Sequence, residues 1–178
     1  THAPEQLPFI VTDTAPAAIL HDTRLGDLLA EIAPDGTPTI ALDAAKGVTP
    51  TRTDWPKSSG RDAAYVMYTS GTTGTPKGVI APQCGIAAHA LDQPLRPVSP
   101  EDVMLHAATI AADGSSGEIW GALLNGAALA IVEAEKPGLA DIAHVMTTRQ
   151  TTTAIFYAGL LHLMVDHHID AFASMRVL

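Results

Sequence analysis

Ala63-Ala64-Tyr65-Val66-Met67-Tyr68-Thr69-Ser70-Gly71-Thr72-Thr73-Gly74-Thr75-Pro76-Lys77-Gly78 is the stretch on which the reading of this chain turns. Its first six residues have the β-branched and aromatic content of a strand. The next ten are glycines and hydroxyl side chains closed by Pro76, Lys77 and Gly78. Glycine lets the backbone approach a ligand closely and turn its N–H groups inward. The Thr and Ser hydroxyls add donors, and Lys77 adds a compact positive charge suited to phosphate oxygens. A solvated Gly/Thr turn between two strands is the plain alternative. A Walker A loop is not: Pro76 stands where that pattern needs its second glycine, and Gly78 where it needs Ser or Thr.

Upstream, Pro4 to Asp13 has mixed helical spacing, with Pro8 tolerable only in a first turn. Ala17–Leu20 reads as a strand, and Asp22 or Thr23 is placed to cap a helix over Leu25–Ile32. Pro38–Leu42 reads as the next strand. This β–α–β rhythm predicts a parallel sheet flanked by helices, an α/β fold. Gly47–Asp62 has no apolar period and reads as a surface connection. The spacing therefore divides the chain into a leading βαβ-type segment (1–46), a connection (47–62) and a larger α/β unit (63–178). In that unit Lys77–Ala81 is extended and a helix runs from about Gln83 or Gly85 to His89 or Leu91. Val103–His106 is a strand, and the second half of 111–124 is helical, with Asp113 or Ser115 placed to cap it. Asn125-Gly126 signals the end of that helix. Ala127–Val132 reads as a strand, Leu139–Thr148 as a helix, Thr152–Tyr157 as a strand and Leu160–His167 as a helix. Met175–Leu178 reads as the start of another strand.

The 178 residues carry a formal charge of −9, which argues against a sequence-independent nucleic-acid surface or an anionic membrane face. Apolar residues make up 47% and aromatics only 4%, a core of small and branched aliphatics. No run approaches the ~18 apolar residues of a membrane span. A single cysteine, Cys84, suits a reducing cytoplasm, and a buried or inert thiol is the default for it. A start at Thr1 without methionine suggests a piece of something longer.

Asp113 has two readings from its surroundings. It caps a helix, or it is a buried carboxylate waiting for a cation, because such a group is costly unless paired. Asp166-His167-His168 could suggest a metal site, but consecutive residues point apart on a helix, so a solvated helix end is the preferred reading. No GxSxG elbow supports serine-hydrolase chemistry.

The segment Ala64–Val79 resembles the phosphate-binding signature YTSGTTGxPKGV of the adenylate-forming (ANL) superfamily. Asp113-x-Ser115-x-x-Glu118-Ile119-Trp120, followed by Ala122-Leu123-Leu124-x-Gly126, resembles the FDxSxxEIWxxLLxG motif of adenylation domains in nonribosomal peptide synthetases, with Ala112 in place of the aromatic. Pro4-Glu5-Gln6-Leu7 is similar to the family's YPxERL segment, with Gln6 for arginine.

The resemblance implies a flavodoxin-like subdomain from the N-terminal part of such a domain. It implies that Lys77, in a catalytic role, acts with Thr69, Ser70, Gly71, Thr72, Thr73 and Gly74 on the β- and γ-phosphates of ATP, supplied with Mg2+. It implies that Asp113 holds the α-amino group of an amino acid, and that Gly114, Gly117 and Phe156 line its pocket, the two glycines leaving room for the side chain. Phe156 reads equally well as an ordinary core aromatic. The implied partners are the rest of the adenylation domain and a phosphopantetheinyl carrier protein. The ribose-binding aspartate, the hinge and the late catalytic lysine of the family have no match in these residues. Two other readings remain: an acyl- or aryl-CoA ligase piece of the same superfamily, and a non-catalytic module. The 178-residue piece is expected to fold but not to adenylate by itself, with Gly71–Gly74 mobile when empty.

Overall fold

The structure is a computed structural model that describes residues 4–44, 56–69, 75–92, 97–134 and 136–177. Ser70 to Gly74 lie outside the described residues, and with them the expectation of a mobile loop. The chain packs as two units: His2–Ser58 with Tyr68–Lys77, and Ser59–Met67 with Gly78–Leu178.

The first unit starts with a 3-10 turn at Pro4–Gln6 and α1 (Leu7–Thr14), with Pro8 in the first turn as its missing N–H requires. β1 (Ile19–His21) and β2 (Thr39–Ala41) pair in parallel, in register Ile19 with Thr39. α2 (Gly26–Ile32) joins them and buries Leu29. Asp22 does cap, but one turn early: its carboxylate accepts from the Arg24 N–H and closes a 3-10 turn at Thr23–Leu25, and α2 starts only after it. Asp43, just past β2, accepts from the Thr23 N–H and hydroxyl and ties the crossover to the strand end. Tyr68 packs edge-on to Phe9 and donates its hydroxyl proton to Asp13.

β3 (Ala63–Thr69) and β4 (Lys77–Pro82) pair with each other and run through the division between the units. α3 (Gln83–Leu91) continues from β4. The Ser59–Asp62 turn at the end of the expected connection is anchored to it, because the Cys84 N–H donates to Gly60 O and the Gln83 N–H to Asp62 O.

The second unit is built on β5 (Val103–His106) and β6 (Ala128–Ile131), parallel neighbours. The strand expected at 152–157 is reduced to one position. Thr153 bridges Met104 on one side and Val177 on the other, both in parallel, and the chain then turns into α6 (Ala158–His168). Side chains alternate across this sheet. Met104 packs with Ala122 and Ala127 beneath α4 (Asp113–Leu123). Leu105 and Ala154 face the other way, against Ile142, Ala143 and Met146 of α5 (Leu139–Thr148) and Met164 of α6. Both faces of the sheet are therefore covered by helices, as parallel strands require. α4 ends where Gly126 takes φ +74°, and Asn125 donates to Ala90 O at 2.8 Å, joining the ends of α3 and α4.

A buried polar knot closes the end of the sheet where β5 begins. Asp102, 3% exposed, accepts from the Ser99 N–H and hydroxyl, the Thr152 hydroxyl and the Arg176 guanidinium. Burial alone would raise its pKa; Arg176, Thr152 and Ser99 outweigh burial and hold the carboxyl well below the usual range. A depressed carboxylate stabilises the fold above its unfolded pKa of about 3.9, and that contribution is lost as pH falls towards the folded value. Asp102→Ala is expected to cost about 2 kcal/mol at pH 7, with Arg176 half-exposed limiting the loss. In urea melts the gap from wild type should narrow steadily below pH 4; a gap constant from pH 7 to pH 2 would remove the carboxylate from the account.

Candidate active site

Within the second unit, α3, α4 and the 155–157 segment enclose a groove of ≈ 470 Å³. Its walls are Ala81, Gly85, Ile86 and Ile155, and its polar groups come from Tyr65, His89, Asp113, Ser116 and Tyr157. The groove lies at the end of the sheet where β5 finishes, the carboxyl end at which open α/β sheets bind ligands.

Asp113 is neither of the two things its surroundings suggested. It is the first residue of α4, and the N-cap position is Ala112, which makes no side-chain capping hydrogen bond. It is also exposed rather than buried. Its Oδ1 accepts from the Gly114 N–H at 2.8 Å and lies 3.5 Å from the Tyr157 hydroxyl. The helix N-terminus favours the carboxylate there. An open groove leaves it hydrated, so the cost of a buried, unpaired charge does not arise until something covers it.

Gly114 and Gly117 line the groove, but the space they free is already taken. A Cβ on Gly114 would stand 2.6 Å from the Tyr157 hydroxyl. A Cβ on Gly117 would stand 3.1 Å from His89 Nε2 and 3.3 Å from Ile155 Cδ1. These glycines admit protein side chains against α4 rather than opening a hole for a ligand.

Phe156 does not line this groove. It packs on the α5–α6 side with Phe172, ring centroids 5.8 Å apart, against the core around Leu105 and Met164. The reason is the alternation of side chains along the segment: Ile155 and Tyr157 reach the groove, so the residue between them turns away. Tyr65 was missed by sequence reasoning. It donates to Ser116 Oγ at 2.8 Å and closes one wall, a contact across 51 residues with no local signature.

Behind α4 lies a buried acid. Glu118 Oε2 is 2.6 Å from His106 Nδ1 and accepts from the Ala108 N–H at 3.2 Å. Burial pushes the Glu118 carboxyl up, opposed by the His106 ring and the Ala108 amide. One carboxylate thus ties the middle of α4 to the end of β5 and to the loop that delivers Asp113.

Of the expected phosphate-loop residues, Thr69 ends β3 and Lys77 begins β4, both exposed in the first unit; Ser70, Gly71, Thr72, Thr73 and Gly74 lie outside the described residues. Cys84, in the first turn of α3, is exposed and not buried, with Gly60 lying against it. Among the described residues no helix is long and apolar enough to cross a membrane.

The fold is an α/β unit with a glycine-rich sequence between β3 and β4, and the chain belongs to the AMP-binding enzyme family, whose model matches residues 1–178. Within that family it is similar to bacitracin synthase 3 of Bacillus licheniformis, 34% identical over 168 residues, covering 90% of this chain and 3% of that protein. It is similar in structure to the Klebsiella oxytoca NpsA N-terminal subdomain in complex with 3-hydroxybenzoyl-AMSN. That likeness has 25% identity and a TM-score of 0.83 over 99% of this chain and 44% of that one. NpsA-ThdA, an artificially fused adenylation-PCP di-domain NRPS from the same organism, matches at 25% identity with a TM-score of 0.81, over 97% of this chain and 34% of that one. The chain thus spans a few per cent of the curated relative and under half of each of these solved chains.

Proposed function

We propose that this chain supplies the phosphate loop and the amino-acid groove of an adenylating ligase that makes aminoacyl-AMP in the cytoplasm and passes the aminoacyl group to a carrier-protein thiol. A substrate carboxylate oxygen attacks the α-phosphorus of ATP, the bond to the bridging oxygen breaks, and pyrophosphate leaves with the negative charge. Lys77 and the Thr69–Gly74 loop bind the β- and γ-phosphates and stabilise that charge as it develops. Mg2+ would arrive on the nucleotide; among the described residues no cluster of His, Cys, Asp or Glu is assembled to hold a metal.

The observation that carries the amino-acid reading is Asp113, a carboxylate at the rim of a largely apolar groove. An α-ammonium is its natural counterion, and a bound substrate would desolvate the pair and strengthen it. A second reading, an aryl or acyl acid without an α-amino group, draws on one specific observation. Asp113 is exposed, so an acid that lacks the ammonium and leaves the rim open to water does not strand a buried charge. The 3-hydroxybenzoyl complex of the Klebsiella oxytoca subdomain points the same way.

ATP–pyrophosphate exchange in the full-length protein that carries this chain separates the two. With the best proteinogenic amino acid and its deaminated analogue, the wild type should prefer the amine, and Asp113→Ala should reduce that preference about tenfold. Equal use of both substrates by the wild type would replace the amino-acid reading with the aryl-acid one.

A further inference from the structure

Resting on the amino-acid reading above, we infer that Tyr157 is a second anchor for the substrate ammonium, and that Gly114 is the positioning residue that lets it reach there. Tyr157 occupies the N-cap position of α6 with extended backbone, and its carbonyl accepts from the Leu161 N–H. Its main chain is therefore held by the helix start, while the residue as a whole is 60% exposed and lines the groove. The ring crosses to the first turn of α4 and brings its hydroxyl to 3.5 Å from Asp113 Oδ1.

The approach is possible only because position 114 has no Cβ, since an alanine methyl would stand 2.6 Å from that hydroxyl. Any side chain at 114 pushes the phenol off Asp113. The hydroxyl proton is directed to Asp113 Oδ1, which also accepts from the Gly114 N–H. Two acceptors then remain at the groove: the lone pairs of the Tyr157 oxygen and Asp113 Oδ2, the hydrogen bonds seen at Asp113 all being to Oδ1. A primary ammonium carries three N–H donors and can use both acceptors at once. An N-methylated amine keeps two N–H donors, so engaging both acceptors fixes its methyl group at the one remaining tetrahedral position. The pair thus distinguishes primary from N-methylated amino acids, which a lone carboxylate does poorly.

The experiment uses exchange kinetics in the full-length protein, with the proteinogenic amino acid that gives the highest rate and its N-methyl derivative. Tyr157→Phe keeps the ring and removes only the hydroxyl. It should raise KM for the amino acid about tenfold with little change in kcat, because a ground-state contact is lost. The preference for the primary amine should shrink by a similar factor. Gly114→Ala should reproduce both effects, and the double variant should be no worse than Gly114→Ala alone, because both changes remove one contact. Unchanged KM and unchanged N-methyl discrimination in Tyr157→Phe would overturn the proposal. Asp113→Ala tells its failure from that of the reading beneath it. If Asp113→Ala weakens amino-acid use while Tyr157→Phe does not, only the second anchor falls. If neither matters, the amino-acid reading falls with it.

Discussion

Lys77→Ala is expected to lower the ATP–pyrophosphate exchange rate of the full-length protein by about 100-fold, while amino-acid affinity changes little. Lys77 opens β4 shortly after the glycine-rich stretch of sequence, and it is exposed. A lysine there acts as a compact, mobile point charge rather than a fixed fork. Its attraction for the phosphate chain grows as the α-phosphorus bond breaks and charge accumulates on the leaving pyrophosphate, so the loss should fall on kcat and not on the amino-acid KM. Lys77→Arg keeps the charge but spreads it over a planar group, and it should recover only part of the rate. Exchange turnover unchanged in Lys77→Ala would take the loop out of the chemistry and favour the plain Gly/Thr turn.

The second large effect is on stability. Glu118→Ala should cost the fold about 3 to 4 kcal/mol, because it leaves His106 and the Ala108 amide buried without their acceptor. Glu118 is 3% exposed and the His106 side chain 13%. Glu118→Gln keeps the shape and an acceptor for Ala108, and should cost much less. The pH dependence has a definite sign. Burial raises the Glu118 carboxyl above its unfolded value, so the native state holds a proton more tightly than the unfolded chain does. That proton is retained at low pH, and the wild type should lose stability relative to Glu118→Gln as pH rises through the folded value. This is opposite in direction to the effect at Asp102. Urea midpoints of the two proteins that differ by a constant amount from pH 4 to pH 8 would show that the Glu118 carboxyl titrates alike in the native and unfolded chains, and would overturn the raised pKa. Because the same carboxylate holds the loop before Asp113, Glu118→Gln also tests whether that loop needs the charge for its placement.

Much of the fold was legible in order along the chain. α5 spans Leu139–Thr148 as its spacing predicts, and α3, α4, α6 and β6 fall within a few residues of expectation, because each is a local periodic pattern bounded by turn or cap signals. The parallel pairing of β1 with β2 and of β5 with β6 follows from the helices placed between them. The failures are also local in origin. The Thr152–Tyr157 run looks like a full strand, yet only Thr153 bridges on both sides before Tyr157 starts a helix. Every residue from Ala154 to Tyr157 is apolar or aromatic, so the run carries no alternation to say which face Phe156 takes.

By itself, the sequence determined the α/β class, the order of most elements and membership of the AMP-binding enzyme family. Those rest on residue type and short spacing. The tertiary structure alone decided that Asp113 is exposed at the first position of α4, that Phe156 belongs to the core and that Tyr157 belongs to the groove. It alone showed that the empty places at Gly114 and Gly117 are filled by Tyr157, His89 and Ile155. The physical reason is distance along the chain. Asp113 and Tyr157 are 44 residues apart and Tyr65 and Ser116 are 51 apart, and such contacts follow from how helices lie on a sheet, which no local pattern encodes.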